Sequence, residues 1–165
     1  MAKNHAICIG THAAYWDVDA LNFVGVAATD MDNGTFVQLG AIGLTKKYGG
    51  YEFTVTATNS GDYVVATPPV GYTYEQAGLD DPRYFYNVAG KPMAVKHLIK
   101  GDCLELDAAA FTATPAAGAT YATVQASGKL TANTTKDGAH FAVLGTHSVD
   151  CGGEIVKTWV LQKLA

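Results

Sequence analysis

The chain has 165 residues, a formal net charge of −4, a pI near 5.6, 16% charged residues and a mean hydropathy of +0.08. That length suits one domain, or two small sub-barrels, and buries about two-thirds of its unfolded surface without disulfides or metals. An acidic chain with no basic cluster beyond Lys46-Lys47 is not expected to bind nucleic acid or an anionic membrane, and its short, Gly-broken apolar runs cannot span a bilayer.

The first five residues, Met1-Ala2-Lys3-Asn4-His5, lack the basic, apolar and small-residue pattern of a signal peptide, so synthesis in a cytoplasm is expected. Residues 1–22 sustain neither a helical nor a strand period. With Tyr15 and Trp16 they read as an extended N-terminal arm that docks elsewhere, or as a first strand over residues 6–9 followed by a loop whose aromatics cap the core. The body of the chain is then residues 23–165.

Residues 23–44 place Asp32-Asn33-Gly34 between two apolar runs. Asn-Gly readily takes positive φ at both centres of a type I′ turn, so a β-hairpin is expected there. After the turn signal Tyr48-Gly49-Gly50, residues 51–58 alternate Tyr51, Phe53, Val55 and Ala57 with Glu52, Thr54, Thr56 and Thr58, the period of a half-buried strand. Asn59-Ser60-Gly61-Asp62 leads into Tyr63-Val64-Val65, which predicts a second hairpin stopped by Pro68-Pro69.

Residues 70–92 break the pattern. Tyr72, Tyr74, Tyr84, Phe85 and Tyr86 lie among Gly, Asp and Pro residues in a long aromatic loop, with one short helical possibility at residues 74–78. Tyrosine offers amphipathic area at low entropic cost, so such a loop is either a structural lid or a contact surface.

Strand character resumes at residues 93–99, and Lys100-Gly101-Asp102 turns into Cys103-Leu104-Glu105-Leu106. The Ala- and Thr-rich residues 107–118 read as a connector, near which two sub-barrels would divide, at 101–118. Residues 120–125, 129–132, 139–149 and 155–161 then form a meander with turns at Ser127-Gly128, Lys136-Asp137-Gly138 and Cys151-Gly152-Gly153. The fold class is all-β: an antiparallel β-barrel or sandwich built of hairpins, with an extended arm and an aromatic loop.

Catalytic and metal chemistry is hard to place on this chain. His5, His12, His97, His140 and His147 show no HxxxH spacing, and an odd offset puts His140 and His147 on opposite faces of an uninterrupted strand. Residues 30–34 start like a calcium loop, but the Gly comes one position early and Ala41 stands where a bidentate Glu is needed. Asp17 with Asp19, and Asp80 with Asp81, show no acid–base assignment. Cys8, Cys103 and Cys151 form no CxxC pair and read as buried free thiols. No catalytic residue, cofactor or metal is expected, and the chain reads as a non-enzyme.

Asp32-Asn33-Gly34-Thr35-Phe36-Val37-Gln38-Leu39-Gly40 is similar to the ENGTFVxLG segment of small structural proteins of tailed bacteriophages, including head decoration proteins. Val65-Ala66-Thr67-Pro68-Pro69-Val70-Gly71-Tyr72, Ala89-Gly90-Lys91-Pro92, Gly101-Asp102 and the closing Gly-, Thr- and Val-rich region extend the resemblance from residue 23 to the C-terminus. The resemblance implies a cement protein on the outer surface of the virion capsid. It would bind the major capsid protein of the same phage and form a homo-oligomer, with a trimer favoured. Tyr15, Trp16, Tyr72, Tyr74, Tyr84, Phe85 and Tyr86 are the expected contact residues, because buried aromatics carry most interface energy. The alternatives are a tail-tube or other head-associated subunit, and a carbohydrate-binding β-sandwich using the same aromatics as stacking platforms.

Overall fold

A computed structural model describes residues 5–47, 50–69 and 81–164. Its strands are β1 (Cys8–His12), β2 (Asn22–Ala27), β3 (Phe36–Lys47), β4 (Gly50–Ala57), β5 (Tyr63–Val65), β6 (Pro92–His97), β7 (Cys103–Asp107), β8 (Tyr121–Val124), β9 (Leu130–Asn133), β10 (Phe141–Cys151) and β11 (Glu154–Lys163). Helical content is confined to 3-10 turns at Ala14–Trp16, Asp19–Leu21 and Ala108–Ala110 among the described residues. The chain is all-β.

β2 to β6 close a barrel in the order β2-β4-β3-β5-β6, while β1 and β7 to β11 form a six-stranded sheet in the order β1-β7-β11-β10-β8-β9. The expected purely antiparallel pairing does not hold in the barrel, where β2 and β4 run parallel. A ring of five strands cannot close with every neighbour antiparallel, so one parallel pair is obligatory.

Neither expected barrel hairpin forms. β2 pairs with β4 and β6, and β3 pairs with β4 and β5, so the two halves of residues 23–44 are not partners. The reason lies in Asn33, whose side chain turns inward. Its Nδ2 donates to the Thr67 carbonyl at 2.8 Å, and its Oδ1 accepts from Thr67 N at 3.0 Å and Asn87 Nδ2 at 3.1 Å. Thr67 Oγ1 closes the network on Asn87 Oδ1 at 2.6 Å, and all three residues are buried. The connection from β2 to β3 is thereby tied to segments that follow β5 and precede β6. Likewise β5 does not fold back on β4 but crosses to pair with β3 and β6.

Residues 8–22 are not an extended arm. β1 is hydrogen bonded to β7, with Cys8 opposite Leu106, and Tyr15 enters the core at 8% exposure. Ala14 N is bound by the Asp102 carboxylate at 2.8 Å, which fixes the turn that follows β1. The meander of the last third is present as β8–β9 and β10–β11 hairpins joined through β8 and β10.

Two apolar clusters result. One fills the barrel with Ala27, Met31, Val37, Val55, Val65, Met93 and Val95. The other lies between the barrel and the six-stranded sheet, where Phe36, Val64 and Leu98 meet Leu104, Leu106, Phe141, Trp159 and Leu161. Adjacent residues on β3 and β5 serve both: Phe36 and Val64 face the sheet, Val37 and Val65 the barrel interior, as alternation along a strand requires. The barrel interior is narrow. A Cβ on Gly25 would lie 2.8 Å from methyls of both Val55 and Val95, so only glycine lets β2 close there.

Polar contacts fasten the same junction. Phe36 N donates to Gly128 O at 2.9 Å, and buried Lys163 Nζ reaches Gly61 O at 2.9 Å and Asp62 Oδ1 at 2.7 Å. That last pair holds the Asp62 carboxyl below its ordinary range, chiefly through the hydrogen bond from Lys163.

Candidate interaction surface

The aromatic residues singled out by sequence do not share one surface. Consecutive residues of a 3-10 turn project about a third of a turn apart, and Tyr15 and Trp16 separate accordingly. Tyr15 is buried, and burial pushes its phenol up to about 12. Trp16 is 69% exposed, and a Cβ on Gly10 would meet both its indole nitrogen and the Tyr15 hydroxyl. The indole ring therefore stands largely outside the fold with its nitrogen edge turned toward Gly10 of β1. Lys96 Nζ lies 5.6 Å from the Tyr15 ring centre and 2.6 Å from Asn22 Oδ1, which braces the base of the turn.

In the aromatic loop, Tyr72 and Tyr74 lie outside the described residues, as does the helical possibility at residues 74–78. Phe85 is buried at 5% exposure, so it is a core residue and not a contact. Tyr84 and Tyr86 are half-buried. Tyr84 lies under the Arg83 guanidinium at 5.4 Å, and Tyr86 stacks on His5 at 4.9 Å. His5 Nδ1 is also 2.5 Å from Asp32 Oδ1, and its backbone N donates to Arg83 O at 2.7 Å. Residues 83–86 thus clasp His5 at the N-terminal end of the described residues.

Sequence reasoning did not single out the other exposed apolar side chains: Val18 at 43%, Ile42 at 46%, Ile99 at 41%, Leu144 at 57% and Ile155 at 74%. Ile42 and Leu144 lie where β3 and β10 run past their inner neighbours. β5 covers β3 only at Phe36 and Val37, and β8 covers β10 only at Phe141 and Ala142. Among the described residues, β10 and β11 run on as a two-stranded ribbon only past the His147–Thr158 pair, where β7 ends, and β3 and β4 only past Glu52, where β2 ends. The tip of the β10–β11 ribbon is held by Arg83, which pairs with both Asp81 and Glu154.

The titratable groups are dispersed. His97 stacks on Tyr63 at 4.7 Å, His140 Nδ1 accepts from Val124 N at 3.1 Å, and His147 Nδ1 lies 3.1 Å from Glu105 Oε2. Asp30 binds Ala89 N while Asp32 binds His5, so the carboxylates of the apparent calcium loop point to different partners. Among the described residues no group of three His, Cys, Asp or Glu is placed to hold a metal. Cys8, Cys103 and Cys151 are free thiols, each pushed up by burial, Cys8 to about 12. A shallow groove of about 320 Å³ runs beside β2 and β6, lined by Phe23, Pro68, Met93 and Lys96 among others. Burial lowers the Lys96 ammonium below its usual range, and Asn22 already occupies it.

What this geometry offers chemically is contact area on firmly held strands and turns. No protein-family model, curated protein or solved structure matches the chain.

Proposed function

We propose that this chain is a structural virion protein that binds the outer surface of a tailed-bacteriophage head through the major capsid protein lattice. The resemblance over residues 32–40 and the segments after it supports the reading at the level of sequence. The observation that carries it in three dimensions is Trp16. A 69%-exposed indole whose nitrogen edge rests on Gly10 of β1, beside a buried tyrosine, presents a large apolar face for docking on a protein surface. Many copies on a lattice multiply a modest affinity per copy, so one anchor and a broad low-charge surface suffice. The protein acts by contact and carries out no reaction.

Heads lacking the protein, incubated with it and imaged by cryo-electron microscopy, are expected to show added external density at saturating ratios. No density at any ratio overturns the proposal. Trp16→Ala should weaken binding by about thirtyfold, corresponding to a hot-spot loss of roughly 2 kcal/mol, with an unchanged melting temperature.

A further inference from the structure

We infer that the outer edge of β10 is a pairing site for the same edge of a second copy of this chain. β10 keeps an unbroken register with β11 from Gly145 opposite Val160 to Cys151 opposite Glu154. On its other side the last backbone hydrogen bond is Val143 N donating to Thr120 O, and among the described residues nothing pairs with the edge beyond it. A free edge offers a row of backbone donors and acceptors that only another extended strand can satisfy together. Proteins that stay apart guard such edges with charge, proline or irregularity.

The other free edges are guarded. β3 breaks register twice along its length and ends in Lys46-Lys47, and β1 is five residues long with a break between Gly10 and His12. β9 is covered where Thr112 N donates to Leu130 O. β10 has one register shift of its own, between Val143 and Gly145, and past it residues 145–149, Gly-Thr-His-Ser-Val, carry neither a formal charge nor a proline.

The symmetry of the seam follows from the fold. A two-fold axis perpendicular to the sheet runs the two β10 strands antiparallel and keeps each side chain on its own face, so the axis must lie midway between one residue and its own copy. The free stretch 144–150 is centred on His147. Thr146 then lies opposite Ser148 of the second copy, and Gly145 opposite Val149. The two Asp150 carboxylates sit at opposite ends, where a parallel arrangement would set them side by side. Two six-stranded sheets become one continuous sheet. Such a seam is two-fold and departs from the trimer implied by the resemblance.

Sedimentation equilibrium on the purified chain tests this without any capsid, so its outcome is separate from that of the head-binding experiment. The expected result is a reversible two-chain species within the range of about 1 µM to 1 mM, where a seam this short associates. Thr146→Glu with Ser148→Glu places like charges directly opposite across the seam and should leave a single-chain species with an unchanged melting temperature. Thr146→Lys with Ser148→Glu restores attraction and should restore the dimer. A single-chain species for the unaltered protein throughout, a three-chain mass, or a dimer indifferent to both pairs of substitutions overturns the proposal. Amide protection of residues 145–149 that does not depend on concentration would show the edge covered by the chain itself, and also overturns it.

Discussion

Individual side chains decide where this chain departs from its local patterns. Asn-Gly followed by strand-forming residues is a hairpin signal only if the Asn side chain stays at the turn. Asn33 instead binds both backbone groups of Thr67 and accepts from the Asn87 amide, three hydrogen bonds that no spacing rule encodes. Tyr15 and Trp16 looked equivalent as neighbouring aromatics, and one became core while the other became surface. His140 illustrates how such placement reaches solution behaviour. Its Nδ1 must stay unprotonated to accept from Val124 N, and burial, with Lys163 nearby, lowers its basicity, while Asp62 acts in the opposite sense. The unfolded chain titrates at the ordinary value near 6.5, so below that pH the unfolded state takes up a proton that the folded state refuses. Stability should therefore fall as pH drops below about 6.5 and level off beneath the folded-state value. Urea midpoints measured across this window test it, and His140→Asn, which keeps an acceptor without the titration, should flatten the slope.

At the scale of elements, the two protruding ribbons differ from the strands inside the sheets. Beyond Gly145 the β10–β11 ribbon is covered by β7 only through residues 158–162 of β11, and its tip depends on Arg83. Arg83→Ala should raise hydrogen exchange at residues 148–157 by several-fold and leave the slowest-exchanging core amides nearly unchanged, because its Glu154 partner is largely exposed and local opening is a separate event. Mass-spectrometric exchange on the variant gives both numbers. Strand positions were legible in sequence: β4, β7, β8, β9 and β11 lie within a few residues of their expected places, because a period of two reports which face is buried. Pairing partners were not legible. The same alternation in residues 51–58 is satisfied by any neighbour that covers the Val55 face, and only long-range contacts choose between β5 and β2. The candidate surface was legible in part. Trp16 was named, but the exposed apolar residues of the ribbons depend on where β5 and β8 stop, which composition does not reveal.

At the scale of the whole molecule, barrel and sheet share material. Phe36 packs on Phe141 at 5.2 Å, while its neighbour Val37 fills the barrel, so damage to one cluster reaches the other through a single strand. Calorimetry should show one unfolding transition, and Phe36→Ala should lower stability by about 3–5 kcal/mol while keeping the transition single. Two resolved transitions would mean that the shared strands do not couple the halves. The order of the strands also bears on how the chain is made. β1 waits for β7, with Cys8 opposite Leu106, and every strand of the barrel lies between them in sequence. During synthesis the barrel can close as soon as β6 has emerged, while β1 remains an unpaired edge until the next strand appears. β1, translated before the barrel, is thus secured only after it, and the sheet is completed around a unit that closed first.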